Sequence, residues 1–306
     1  MTPPPEGPLP MMMRKQMRYS SSMLLAFTVL LVVGLDSTAA AEHPLCVDCD
    51  TTQTIRNRFT PPDGYTRVDV PDESFAAWLR GLMLQPSGSA SRDWQGDVAL
   101  NPDEVAAVLD WRLLGAEEQC ADIALRLTSE FARQQDWTDR IEFRSLSGDD
   151  IHWSKWMSGQ YGVNAAQTRI TYSDGPRRPN TRAQFDRYLG FVMNYTNTAS
   201  MSRDWPEIPE SLLAIGDVVI QPFCTTGRGS GHLSVVVDAC IDEHGDKLFL
   251  FVDGYTPARV PVIRLRELGK PQTAWMTPDQ YLEVQKQFGP GTFHRYPHFP
   301  EPLTRR

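Results

Sequence analysis

From position 120 onward, Cys120, Ile123, Ala124, Leu127 and Phe131 recur at i, i+3, i+4, i+7 and i+11. That is the apolar stripe of an amphipathic helix. Glu117 and Glu118 stand just ahead of it, where the positive end of the helix dipole favours acids. Phe185, Tyr188, Leu189, Val192 and Tyr195 mark a second amphipathic helix. Earlier in the chain, Phe75, Trp78, Leu79 and Leu82 share one face of a short helix for which Asp72 is the expected cap. Val105 to Trp111 is an apolar run that its period assigns to neither helix nor strand, and Ile141 to Leu146 reads as a short strand. Trp153, Trp156 and Met157 mark a helical turn in an aromatic cluster. After residue 216 the pattern changes. The runs 217–222, 233–240, 247–253 and 258–264 are rich in Val, Ile, Leu and Phe, with Gly, Asp and Pro between them, and predict strands. A late helix over 278–288 follows Thr277-Pro278, a cap and a first-turn proline. Helices first and strands afterwards predict an α+β domain. Its helices pack on an antiparallel sheet, with the Cys120 helix N-terminal to that sheet. No repeat or internal boundary interrupts 57–299, so one globular domain is expected there, with a linker at 42–56 and a tail at 300–306.

Composition narrows the setting. The chain has 306 residues and a net charge of −8. The first 41 residues carry Arg14, Lys15 and Arg18 against Glu6 and Asp36, so the rest is more acidic still. Bulk charge therefore argues against a nucleic-acid partner or an anionic membrane surface. Residues 11–41 have the layout of an export signal: a basic region, the apolar stretch Met23 to Leu35, and the small residues Ser37-Thr38-Ala39-Ala40-Ala41. Met1 to Pro10 precede it as a tail. The apolar stretch is short beside the roughly 20 residues of a membrane-spanning helix. Cleavage and release to the periplasm or medium are expected, a retained anchor being the alternative, and this segment is the expected membrane contact. Five cysteines remain after it: Cys46, Cys49, Cys120, Cys224 and Cys240. An odd count outside the cytoplasm leaves a thiol unpaired, and Cys120 is the expected one. Cys46-Val47-Asp48-Cys49 has redox or metal spacing without a matching second pair, which favours a local disulfide or a tail feature. Neither a metal nor a cofactor is expected.

Cys120 opens a helix, and a helix N-terminus lowers a thiol's pKa, as does a nearby imidazolium. A cysteine on an apolar stripe is otherwise an ordinary small core residue. His232 changes that balance. It follows Gly231 at the end of the Gly-, Ser- and Thr-rich segment Thr225 to Gly231, where a loop becomes a strand, and histidine is the usual base near neutral pH. A third group should orient its ring. Asp238 shares the strand, but six residues at ~3.3 Å each put it about 20 Å away. Asp253 lies on the next strand. A hairpin turning within Glu243 to Gly245 sets it opposite Ser234 or Val236, on the face of His232 and one or two pairs off. A diagonal neighbour about 7–8 Å away is within reach, and two pairs off needs a bulge. Tyr255 and Asp217 are the alternatives. The Cys120 N–H is the natural oxyanion donor, and the Gln119 side chain is a candidate second one. Trp153, Trp156 and Tyr255 are candidates to contact substrate.

Together these motifs resemble an uncharacterised family of exported bacterial proteins, a domain of unknown function. The shared pattern here is Gln119 to Asp122, Trp153/Trp156/Gly159, Gly216-Asp217-Val218, Gly231-His232 and Val236-Val237-Asp238, over roughly residues 57–299. Where that family tends to carry Ala-Gln-Ser-Tyr, this chain has Val252-Asp253-Gly254-Tyr255, and an amide or a carboxylate serves as orienter in Cys-His hydrolases. More distantly, Gln-Cys on a helix with Gly-Asp and Gly-His on strands is similar to the papain-like CHAP and NlpC-type cell-wall amidases and peptidases. That resemblance implies a papain-like fold and hydrolysis of amides, with peptidoglycan peptides as substrate, through a thioester. The competing reading is a non-catalytic envelope protein binding glycan or a partner in a groove of Trp153, Trp156 and Tyr188. A thiol-redox role for Cys46 and Cys49 is a third.

Overall fold

The computed structural model describes residues 45–223 and 230–299. The export segment, both tails and Cys224 with residues 225–229 lie outside the described residues. Among the described residues no helix is long and apolar enough to cross a membrane.

Eight strands form one antiparallel sheet. Its order is Ala107–Val108, Val262–Ile263, Lys247–Asp253, Ser230–Ile241, Val218–Phe223, Thr292–His294 and Glu207–Ile208, and Thr66–Arg67 pairs with the far end of Ser230–Ile241. Helices pack against it, and the protein is α+β. Alternate strand residues serve two cores, as the period of two requires. One side carries Leu233, Val235, Val237, Leu250 and Val252 together with Ile123, Ala124 and Leu127 of the Cys120 helix. The other carries Val219, Val236, Phe249 and Phe251 with Tyr281 from the late helix.

The helix Cys120–Gln134 begins at the residue that opens the apolar stripe. The backbone N–H of Gln119 donates to the Asp122 carboxylate at 2.9 Å, which closes the first turn. Every residue from Cys120 to Ala132 is buried, so the helix runs through the body of the domain and its charges must be paired. Glu118, just before it, accepts from Arg126 at 2.6 Å, Trp111 Nε1 at 2.8 Å and the Leu114 N–H at 2.6 Å. Glu130 takes both arms of Arg182 at 2.6 and 2.7 Å.

Some expectations are corrected. The early helix is Phe75–Arg80, capped by Ser74, whose Oγ accepts from the Ala77 N–H at 3.1 Å. Asp72 stands two residues too early to reach those first-turn donors. The segment read as a linker is docked. Leu45 is buried, and the Asp110 carboxylate accepts from the N–H groups of Val47, Asp48 and Cys49 at 2.8, 3.0 and 2.7 Å. Cys46 and Cys49 form a disulfide within that turn. A polar segment whose donors find one remote carboxylate has no periodic signal to betray it. Only Val262–Ile263 of the run 258–264 joins the sheet. The late helix stops at Val284, with a 3₁₀ turn at Lys286–Phe288.

One irregularity sets the phase of the sheet. From the turn, Ile241 pairs with Lys247 and Asp238 with Leu250, but Val236 pairs with Phe251. Val237 is the extra residue of a β-bulge. Beyond it Val235 opposes Val252, so the next pair sets Asp253 against Ser234, on the face of His232. An unbulged ladder would oppose Asp253 to Val235 and turn its carboxylate to the other face.

Candidate active site

Two glycines let backbone close up at this end of the sheet, Gly231 against the neighbouring strand and Gly254 against the Cys120 helix. A Cβ on Gly231 would stand 2.1 Å from the Gln221 carbonyl oxygen, and one on Gly254 would stand 3.0 Å from the Ile123 side chain and 3.4 Å from the Gln119 carbonyl. With both side chains absent, the Cys120 Sγ comes to 3.8 Å from the Gly231 carbonyl oxygen, and the thiol and the His232 imidazole hydrogen-bond each other.

The ring of His232 is fixed on every side. Its Nε2 lies 3.3 Å from Asp253 Oδ2 and 3.2 Å from Ser234 Oγ, which leaves Nδ1 for the sulfur. Phe288 stacks on the ring with centroids 4.3 Å apart and 12° between planes. Tyr255 stands near both rings, its centroid 6.4 Å from that of His232 and 6.0 Å from that of Phe288. Behind it, Asp253 accepts from Gln285 Nε2 at 2.7 Å and Arg264 Nε at 2.9 Å, with Arg259 at 3.5 Å. Ser234 in turn hydrogen-bonds Tyr281.

Charge follows from this packing. Burial alone would push the Cys120 thiol up. The hydrogen bond and positive charge of His232, with the N–H groups of Leu233 and Ala121, outweigh it and bring the thiol below its ordinary value. Burial would likewise deprotonate His232, but its bonds to Asp253 and Cys120 raise it to about 9. Asp253 is disfavoured by burial and yet held far below the usual carboxylate range by Arg264, His232 and Arg259. Both shifts favour a thiolate–imidazolium pair over a neutral thiol and imidazole. Asp122 behaves oppositely. Burial, aided by nearby negative charge, pushes its carboxyl well up, and its Oδ1 has no hydrogen-bond partner. Protonation of Asp122, which this shift favours, would spare the thiolate a second negative charge beside it.

A cleft of about 180 Å³ opens onto Cys120, lined by Gln119, Asp122, Asn194, Asn197 and Gly231 among others. The Cys120 N–H makes no hydrogen bond within the described residues, so it remains free for an oxyanion. The Gln119 carbonyl end accepts from Thr256 at 2.7 Å, which leaves its NH₂ for the cleft. Trp153 and Trp156 do not line it. Both are buried, Trp153 against Phe185 and Tyr188, Trp156 against Phe191 and under the Arg178 guanidinium. This corrects their assignment as substrate contacts, and the aromatic groove of the binding-protein reading is core. Asp217 is also remote from the ring, held by Arg295 at 2.6 Å.

Cys240 is the other free thiol among the described residues. It is buried, and burial with the Asp238 charge pushes it up to about 12. Iodoacetamide at pH 7 is expected to carbamidomethylate Cys120 and leave Cys240 unmodified, as read by peptide mass mapping. Equal labelling of the two would contradict the ion pair.

Ser234, Arg259, Arg264, Tyr281, Gln285 and Phe288 escaped the sequence reading. Ser234 was accessible through the period of two from His232. Tyr281, Gln285 and Phe288 recur at helical spacing on the late helix and its 3₁₀ extension, a signal for one face though not for what it faces. Searches among curated proteins and among solved structures find no match. The sequence profile of a domain of unknown function, number 4846, matches residues 55–285 and so most of the chain, which therefore belongs to that family.

Proposed function

We propose that this protein is an exported cysteine hydrolase of amide bonds with a papain-like order of parts. The observation that carries the reading is a helix-start thiol hydrogen-bonded to a buried imidazole whose other nitrogen meets a buried carboxylate, all beside an open cleft. In this reading Cys120 is the nucleophile, His232 the acid and base, and Asp253 the orienter. The resemblance to CHAP and NlpC-type enzymes makes peptidoglycan peptides the expected substrate.

The steps follow from the charges. The Cys120 thiolate attacks the amide carbonyl carbon, and the new oxyanion takes the Cys120 N–H and the Gln119 NH₂. His232 gives its Nδ1 proton to the leaving nitrogen as the C–N bond breaks, which leaves a thioester. Water then adds, His232 accepts its proton, the C–S bond breaks, and the acid product and the thiolate are released. Asp253 stays ionised throughout and holds the ring.

The pH profile has a defined sign. Acylation needs thiolate, so its rate rises as pH passes the lowered Cys120 value. It also needs the imidazolium proton, so the rate falls as pH rises through about 9. A bell with its basic limb near 9 is expected for kcat/KM, and a basic limb near 7 would sink the assignment of His232. The direct test of the function is thioester trapping. Peptide amides or cell-wall peptides are quenched in acid, and the Cys120 peptide is searched by mass spectrometry for an acyl adduct removed by hydroxylamine. Absence of the adduct and of hydrolysis across both substrate sets rules the reading out.

A further inference from the structure

Beside the thiol cleft lies a second cavity of about 300 Å³. Glu117 and Met193 line both, so the two are adjacent compartments of one groove along the helix Arg182–Tyr195. The second compartment is charged, and two of its three acids are already paired. Glu118 is held by Arg126, and Asp186 is bound by Arg182. Arg187 is exposed and has no hydrogen bond or ion pair within the described residues. Arg112 is 45% exposed and reaches Asp186 only at 3.5 Å. Two guanidinium groups thus face the cavity with donors to spare.

Gly190 lies on the same wall, inside a 14-residue helix. A Cβ there would meet nothing within 4 Å. Neither crowding nor an unusual backbone angle requires a glycine, and alanine would suit a helix interior better. What the glycine does provide is room beside Arg187.

We propose that this compartment is the substrate-selecting subsite of the hydrolase, in which Arg187 and Arg112 take a carboxylate of the substrate while its scissile carbonyl sits at Cys120. The substrate class is then an acidic peptide, and the inference rests on the hydrolase reading. Guanidinium groups suit carboxylates through paired, charge-assisted hydrogen bonds. Glu117, exposed between the compartments, disfavours a second anion nearer the thiol.

The test uses N-acetyl hexapeptides in which glutamate is scanned through each position against glutamine twins, with a second arm comparing C-terminal acids and amides. The first arm reads a side-chain carboxylate and the second a chain terminus. Acidic members at one site should be cleaved with kcat/KM about tenfold or more above their neutral twins. Arg187→Gln should erase that ratio by slowing the acidic members. Gly190→Leu should block the acidic substrates while Tm does not fall and the iodoacetamide rate at Cys120 stays at its wild-type value. Cleavage without acid preference, or a preference that survives Arg187→Gln, overturns the subsite and leaves the hydrolase standing. No cleavage of any member overturns both.

Discussion

His232→Ala is expected to slow alkylation of Cys120 at pH 7 by about tenfold or more, the effect of one pKa unit or more on the thiolate fraction. In the native protein the imidazolium holds the thiol below its ordinary value and so raises its thiolate fraction. Without the ring, burial pushes the thiol upward, and even an unperturbed cysteine near pKa 8.5 is only about 3% thiolate at pH 7. The rate should return as pH is raised through the new, higher thiol value. A pH-rate profile of iodoacetamide labelling therefore shows a large rightward shift in the variant. An unshifted profile would mean that the helix start alone sustains the thiolate. The loss in hydrolysis should exceed the loss in alkylation, because the leaving group also loses its proton donor.

Asp253→Leu should lower Tm by about 10 °C. The carboxylate is fully buried and answers Arg264, Arg259 and the His232 ring, and it takes the Gln285 amide as well. Removing one partner of a buried ionic cluster leaves charges without compensation, at a cost of about 3–5 kcal/mol. For a domain of this size each kcal/mol is worth about 2–4 °C. Asp253→Asn keeps the shape and an acceptor for Nε2, so its Tm loss should be the smaller. The difference between wild type and Asp253→Leu also depends on pH. A carboxylate held below its unfolded value stabilises the fold above the ordinary carboxylate range, and that contribution is lost as pH falls through the folded value. The Tm gap should therefore be full at pH 6 and shrink under strong acid. A gap that widened in acid would contradict the ionised Asp253.

The parts of this site that depend on local chemistry were readable from the chain. Cys120 announced itself by opening an apolar stripe, and His232 by following a glycine into a buried strand. The α+β order followed from where the period changes. Asp253 was harder, because its face depends on a count of residues through a hairpin. The count through the turn allowed Ser234 or Val236 as its partner, and the extra residue at Val237 is what makes it Ser234. A bulge inside a run of valines has no compositional mark. The charges around Asp253 were harder still: Arg259 and Arg264 leave the sheet beside it, and Gln285 arrives from a helix 32 residues on. Trp153 and Trp156 were recognised as a cluster, but an aromatic cluster reads alike whether it faces a groove or a core.

The bulge at Val237 also bears on how relatives of this chain should be aligned. It separates two countings of the same hairpin: one anchored at the turn, the other at the catalytic end. A relative that loses that one residue and keeps its turn would run as a regular ladder and still set the residue at the place of Asp253 against Ser234. In a relative that keeps the residue but pairs it without a bulge, the residue aligned with Asp253 would oppose Val235 and be its counterpart in name only. The acid or amide that serves the ring would be found one place along.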